Sequence, residues 1–218
     1  MKEITSGINP YALDFPVCID EDGSTAFTHM NQQRMQLMKQ TKHYNFDLND
    51  ETISYNSRQL KYKPCEEDYF IDYLNRKDVR SALHVMDNAP KWTVCANNVN
   101  YSRDDVNTSL INLYKEVVMH GLEQNLHMMV YSGDDDSICS TAGTQYWIYD
   151  IGLDVLKEKL WQPWKVNGQV AGYVTPFNVK QGSGSFTFTT VHGAGHEVPA
   201  YKPEQALVMF KNFLSQEW

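Results

Sequence analysis

Two stretches of the chain hold side chains able to pass protons at close range. The first is "VYSGDDDSICS", residues 130–140, where Asp134, Asp135 and Asp136 stand side by side. The second is "VHGAGHEVP", residues 191–199, with His192 and His196. Adjacent like charges repel, so local folding gives no reason to group three aspartates. A carboxylate that steadies an imidazole, with the imidazole taking a proton from a nucleophile, is the chemistry such a pair offers. The plainer alternative for the aspartates is a solvated loop, with one of them capping the next helix.

Metal chemistry fits these stretches poorly, and no metal and no cofactor is expected. His192 and His196 are four residues apart, but Gly-Ala-Gly between them would not hold a helix, and no glutamate follows the first histidine. A calcium loop beginning at Asp134 would place Ile138 and Gln145 where oxygen ligands are needed. Gly193 and Gly195 instead read as freedom for the backbone to present His196 into a cleft.

The elements around these loops read as α/β. Glu66 to Leu74 and Lys77 to His84 look like short helices. Asp104 or Asp105 can cap a long helix with Leu110, Leu113, Tyr114, Val117 and Val118 on its apolar face, and Gly121 is placed to stop it. "LHMMVYS" (126–132) is a short apolar run before a glycine, the pattern of a buried parallel strand. A helix starts near Thr144, "QVAGYVTPF" and "SFTFTTV" read as strands, and Pro203 to Glu217 closes as a helix with Ala206, Leu207, Phe210, Phe213 and Leu214 on one face. This order predicts a largely parallel sheet. In open α/β sheets ligands sit beyond the carboxyl ends of strands. Both loops follow strands, so both belong on one edge. Asp before His, each after a strand, is the tail of the Ser…Asp…His order of α/β-hydrolases. Residues 1 to about 64 give no clear compact unit.

Composition narrows the partners. The chain has 218 residues and a net charge of −8, with Lys and Arg scattered, which argues against nucleic acid and anionic membrane as partners. There is no apolar run long enough to span a bilayer. The opening residues lack the apolar core of a signal peptide, so either the protein is cytosolic or Met1 is not the true amino terminus. The four cysteines, Cys18, Cys65, Cys95 and Cys139, form no CxxC pair. They read either as four buried thiols or as partners in an oxidising compartment. Cys18 and Cys65 in proline-flanked loops, and the glycosylation pattern Asn-Thr-Ser at Asn107, favour the second.

Several stretches in the right order resemble the serine carboxypeptidases: "PCEEDYFIDYLNRKDVRSALHV", "KWTVC", "VYSGDDDSICSTAGTQYWI", "WQPWKVNGQVAGYV" and "FTFTTVHGAGHEVPAYKPEQALVMFKNFL". The likeness covers most of residues 65–218 and extends back to "INPYALDFPVC". It implies the carboxyl-terminal portion of an α/β-hydrolase fold, with residues 1–100 as part of a helical insertion and its return, and residues 101–218 as core. It implies that Asp136, second acid of the Gly-Asp-x-Asp pattern, and His196 of Gly-Ala-Gly-His-x-Val-Pro are catalytic, with Asp134 a structural neighbour. It implies that Cys139 lines the substrate pocket, that Cys18 bridges Cys65, that Cys95 pairs with a cysteine in the amino-terminal half, and that the protein is lysosomal, vacuolar or secreted.

The resemblance also sets expectations about what these 218 residues lack. No serine lies in Gly-x-Ser-x-Gly; the nearest stretch is "QGSGSF" around Ser183. The nucleophile and the oxyanion donors are expected on an amino-terminal half, the partner of this chain. The expected activity is release of C-terminal amino acids from peptides or proteins, with this chain inactive alone. Glu197, next to His196, is expected near the leaving residue and to favour a basic one. Rival readings are an acyltransferase or lyase on the same fold, and an inactive fragment. Trp161, Trp164 and Tyr173 read as core packing.

Overall fold

The structure, a computed structural model, describes residues 9–17, 67–94, 100–179 and 182–218. Cys18, Cys65 and Cys95 lie outside the described residues, and with them the expected Cys18–Cys65 bridge. Contacts group the chain into two compact units, one of residues 1–8 and 16–101 and the other of residues 9–15 and 102–218. Among its described residues the first unit holds two helices, α1 (Glu67–Leu74) and α2 (Lys77–Ala82). Asn75 joins them to the following loop, its amide accepting from Trp92 N at 2.8 Å and donating to Trp92 O at 2.9 Å.

The second unit carries the sheet. Its helices are α3 (Arg103–Asn107), α4 (111–123), α5 (Thr141–Asp150), α6 (Val198–Tyr201) and α7 (Pro203–Ser215), and its strands are β1 (His127–Gly133), β2 (Asp154–Val155), β3 (Gln162–Val166), β4 (Gln169–Asn178) and β5 (Ser185–Val191). The order is β1-β5-β4-β2, with β3 also on β4. Among the described residues only β1 and β5 pair in parallel; β4 is antiparallel to β5, β2 and β3. The sheet is therefore mixed, not largely parallel as the order of elements predicts. One of the antiparallel pairs is a hairpin between β3 and β4, closed by Asn167 (φ 51°) and Gly168 (φ 78°). An Asn-Gly pair with both φ positive is the turn whose twist matches antiparallel strands.

Period-two alternation divides the strands between two cores. Phe177, Phe186 and Phe188 face Val118 and Leu122 of α4 and Ile148 of α5. Val174, Val191 and Trp164 face Ala206 and Met209 of α7 and Val198 of α6. The Trp164 indole donates to Thr190 O at 3.1 Å, which satisfies a buried carbonyl. A Cβ on Gly172 would lie 1.8 Å from that same carbonyl, so the strand needs glycine there.

Three helix expectations shift. The long helix over 104–121 is two. Ser102, not an aspartate, caps α3 by accepting from Asp105 N at 3.3 Å. The chain then breaks where Thr108 Oγ1 bonds Asp104 O and Ser109 Oγ accepts from Ile111 N, side chains competing with the helix ladder. Gly121 does not stop α4. It lies within it, against Leu126, and the left-handed residue at the end is Asn125 (φ 72°). On α7 the buried residues are Ala206 and Met209, while Leu207, Phe210 and Leu214 are exposed.

Candidate active site

The parallel register of β1 and β5 sets the site. Gly133 pairs with Val191, so "DDDSIC" and "HGAGHE" leave the sheet side by side. The two loops are then stitched together by backbone. Asp134 N donates to Val191 O at 3.2 Å and Asp135 N to Ala194 O at 3.0 Å. Gly133 allows this approach, since a Cβ there would sit 2.2 Å from Ala194 O.

Each of the three aspartates has a different partner. Asp136 is buried, and its Oδ1 accepts from Ile138 N at 2.8 Å and Cys139 N at 3.2 Å. Its Oδ2 meets His196 Nδ1 at 2.8 Å. The aspartate side chain is 4% exposed and the imidazole 38%, so a held carboxylate backs a ring that still reaches solvent. Asp134 grips the base of the histidine loop, with His192 Nδ1 at 2.8 Å and Gly193 N donating at 2.6 Å. Asp135 turns the other way, toward residues 9–15: Leu13 N donates to its carbonyl at 3.0 Å and Asp14 N to its Oδ2 at 2.9 Å. Burial raises the Asp135 carboxyl above the ordinary aspartate range, opposed by the Asp14 amide and reinforced by the charges of Asp14 and Asp134.

That amino-terminal stretch is a third wall of the site, and local sequence gives little sign of it. Asn9 Oδ1 accepts from Tyr11 N at 3.0 Å, starting a turn of the kind Asn-Pro favours. Pro10 O accepts from Ser137 N at 3.1 Å and Ser137 Oγ at 2.6 Å. Tyr11 O accepts from His196 N at 2.7 Å, and the Tyr11 ring stands edge-on to the imidazole at 5.1 Å. Phe15 is buried and packs edge-on to Tyr201 at 4.6 Å. This strap thus holds both loops, largely through backbone. It also explains Gly195, whose added Cβ would lie 2.3 Å from Tyr11 O. Gly193 is the one with a positive φ, 65°. The two glycines therefore serve different ends: conformation at 193, room at 195.

Donor atoms of Asp136, Cys139 and His196 all lie within 4.8 Å of one another, and Cys139 is exposed. Glu197 is exposed at the head of α6, and among the described residues its side chain makes no hydrogen bond or ion pair with Asp136 or His196. Asn107 is exposed at the end of α3, away from the two loops in sequence.

The sequence profile of the serine carboxypeptidases matches residues 1–216. The chain belongs to the serine carboxypeptidase family. Its α/β sheet is accordingly part of an α/β-hydrolase fold. Among Arabidopsis thaliana proteins it is 34% identical to serine carboxypeptidase-like 22, over 95% of this chain and 40% of that protein. It is 31% identical to putative serine carboxypeptidase-like 23, over 95% of this chain and 38% of that protein, and 35% identical to serine carboxypeptidase 24, over 71% of this chain and 31% of that protein. The chain thus spans about two-fifths or less of the length of these carboxypeptidase relatives. Among the described residues no helix is long and apolar enough to cross a membrane.

Proposed function

We propose that this chain supplies the acid and the general base of a serine-type carboxypeptidase, and that a nucleophile-bearing amino-terminal half completes it. The observation that carries this reading is the 2.8 Å pair between Asp136 Oδ2 and His196 Nδ1, with the carboxylate buried and its second oxygen held by two amides. A carboxylate at Nδ1 favours the tautomer with its proton there, which leaves Nε2 to accept one. In the assembled enzyme His196 takes the serine proton as the hydroxyl attacks the last peptide bond of a peptide or protein. It then delivers that proton to the departing amino acid, while Asp136 stabilises the imidazolium. Cys139 and Glu197 belong to the substrate side of the site in this reading, Glu197 favouring a basic leaving residue. Residues of the first unit belong to the helical insertion, and the full protein works in a lysosome, a vacuole or outside the cell, with a glycan on Asn107.

The test is release of the C-terminal residue from a blocked dipeptide. The 218-residue chain alone is expected to show none above background. The chain joined to an amino-terminal segment carrying Gly-x-Ser-x-Gly is expected to turn over. In that assembly His196→Ala should cut kcat by about 10⁴-fold or more. Full turnover by the isolated chain, or an active His196→Ala assembly, overturns the proposal. Glu197→Gln in the same assembly should reduce the preference for C-terminal Lys and Arg over Leu; an unchanged ratio removes Glu197 from the substrate side.

A further inference from the structure

We infer that Asn9 is a positioning residue for His196: its side chain folds residues 9–12 into the turn whose Tyr11 carbonyl fixes the main chain of the histidine, and with it the ring against Asp136. Asn9 is 1% exposed. Its Oδ1 accepts from Tyr11 N at 3.0 Å, and its carbonyl accepts from Ala12 N at 3.1 Å. An asparagine side chain that bonds the backbone two residues on forms a turn by itself. With both amides engaged by Asn9, the carbonyls of Pro10 and Tyr11 are left to serve the two loops. Pro10 O takes Ser137 N at 3.1 Å and Ser137 Oγ at 2.6 Å, and Tyr11 O takes His196 N at 2.7 Å.

The histidine loop is anchored on either side of His196. At its base Asp134 holds His192 and Gly193, and Ala194 O accepts from Asp135 N; at its far end α6 begins at Val198. His196 stands between these anchors, directly after Gly195, and its own amide bonds the strap. The side chain is 38% exposed, so packing alone does not set the ring. Its direction rests on two anchors, the main-chain bond to Tyr11 O and the 2.8 Å contact of Nδ1 with Asp136 Oδ2. The second bond is well aimed only while the first holds the backbone. Asn9 also carries a cost. Its Nδ2 is buried with no acceptor among the described residues, and a donor in that state is destabilising. Leucine has the same branched outline and no such donor. What asparagine offers over leucine at this position is the oxygen that receives Tyr11 N.

The catalytic meaning of this placement rests on His196 being the general base, but the placement itself is measured on the chain as it stands, by NMR. Asn9→Leu removes one turn hydrogen bond, so the His196 amide should exchange about 2- to 12-fold faster, and the low-field Nδ1 proton of His196 should broaden or vanish. Asn9→Asp keeps the accepting oxygen and should retain both signals. Circular dichroism checks that each variant is folded. The unaltered chain gives a second measurement that needs no variant. If Asn9 ties the strap into one unit, the amides of Tyr11 and His196 open together, with protection that agrees within about tenfold. In the completed enzyme Asn9→Leu should lower kcat roughly 10- to 100-fold and leave KM unchanged, since a small misplacement of a reacting group costs on that order. Unchanged His196 signals in folded Asn9→Leu, Asn9→Asp no better than Asn9→Leu, unrelated protection at Tyr11 and His196, or a raised KM with kcat intact overturns the inference. An inactive parent assembly overturns the general-base reading instead; the amide and Nδ1 signals still decide the role of Asn9 in placing His196.

Discussion

Replacing Gly195 with alanine adds one methyl group at the point where the strap crosses the histidine loop. The new Cβ would lie 2.3 Å from Tyr11 O, 2.4 Å from Ala12 Cβ and 3.0 Å from Ala12 Cα. None of these is the far end of a flexible side chain, so backbone must shift. Overpacking of this kind costs about 1–3 kcal/mol. The shift also breaks the bond from His196 N to Tyr11 O, now 2.7 Å, for roughly another 1 kcal/mol. The total is about 2–4 kcal/mol. Full release of the strap is the other route, and it forfeits the burial of Phe15, itself worth about 1.5–3 kcal/mol. Gly193→Ala is the control. Its Cβ meets only the end of Lys202 at 3.2 Å, so its penalty is the left-handed backbone alone, about 1–2 kcal/mol. Urea denaturation of the chain and its two variants measures both, and amide exchange at His196 reports whether the strap is seated. Gly195→Ala within about 0.5 kcal/mol of the parent, the range of an inconsequential substitution, with the His196 amide still protected, would refute the reasoning.

Asp135 makes a pH prediction. Its folded-state carboxyl is raised above the ordinary 3.8, chiefly by burial, so the folded state holds that proton longer than the unfolded chain. Its contribution is then most favourable below the ordinary value and declines as pH climbs through the raised one. The stability of the parent minus that of Asp135→Asn should fall as pH rises past the ordinary value of 3.8; a difference that grows with pH contradicts this. Trp164→Phe strands the Thr190 carbonyl in the core and should lower stability by about 1–3 kcal/mol by denaturant melt, and no change would mean the carbonyl finds another donor. Mass spectrometry of the unreduced protein is expected to link Cys18 to Cys65; chain entropy assigns a loop of about 47 residues roughly 4 kcal/mol, and reduction should lower the melting midpoint accordingly, whereas two free thiols would dismiss the bridge.

The parts of the fold written in local pattern were legible. "SFTFTTV" coincides with β5, "LHMMVYS" lies one residue from β1, and the two loops fall side by side because both strands end at one edge. The Asp-His pair follows from that edge. The antiparallel half of the sheet was not read: Asn167-Gly168 marks the β3–β4 hairpin, but the order of elements predicts parallel strands. Nor was the strap. Its bonds run from Asp14 to Asp135 and from Ser137 to Pro10, at separations of 121 and 127 residues, and no periodicity carries that information. On α7 the sequence offers two apolar stripes. The sheet takes the one with Ala206, where a small side chain lets the helix sit close, so Leu207, Phe210 and Leu214 face outward.

The strap has a bearing on the order in which the molecule assembles. The chain leaves the second unit at Phe15 and rejoins it at Ser102, and the loops the strap touches are made later still. Contacts closing so wide a circuit gain nothing until the sheet already exists to receive them. The sheet edge therefore matures first and the imidazole is locked last, so a refolding chain should recover its strand signal before its His196 amide becomes shielded from exchange.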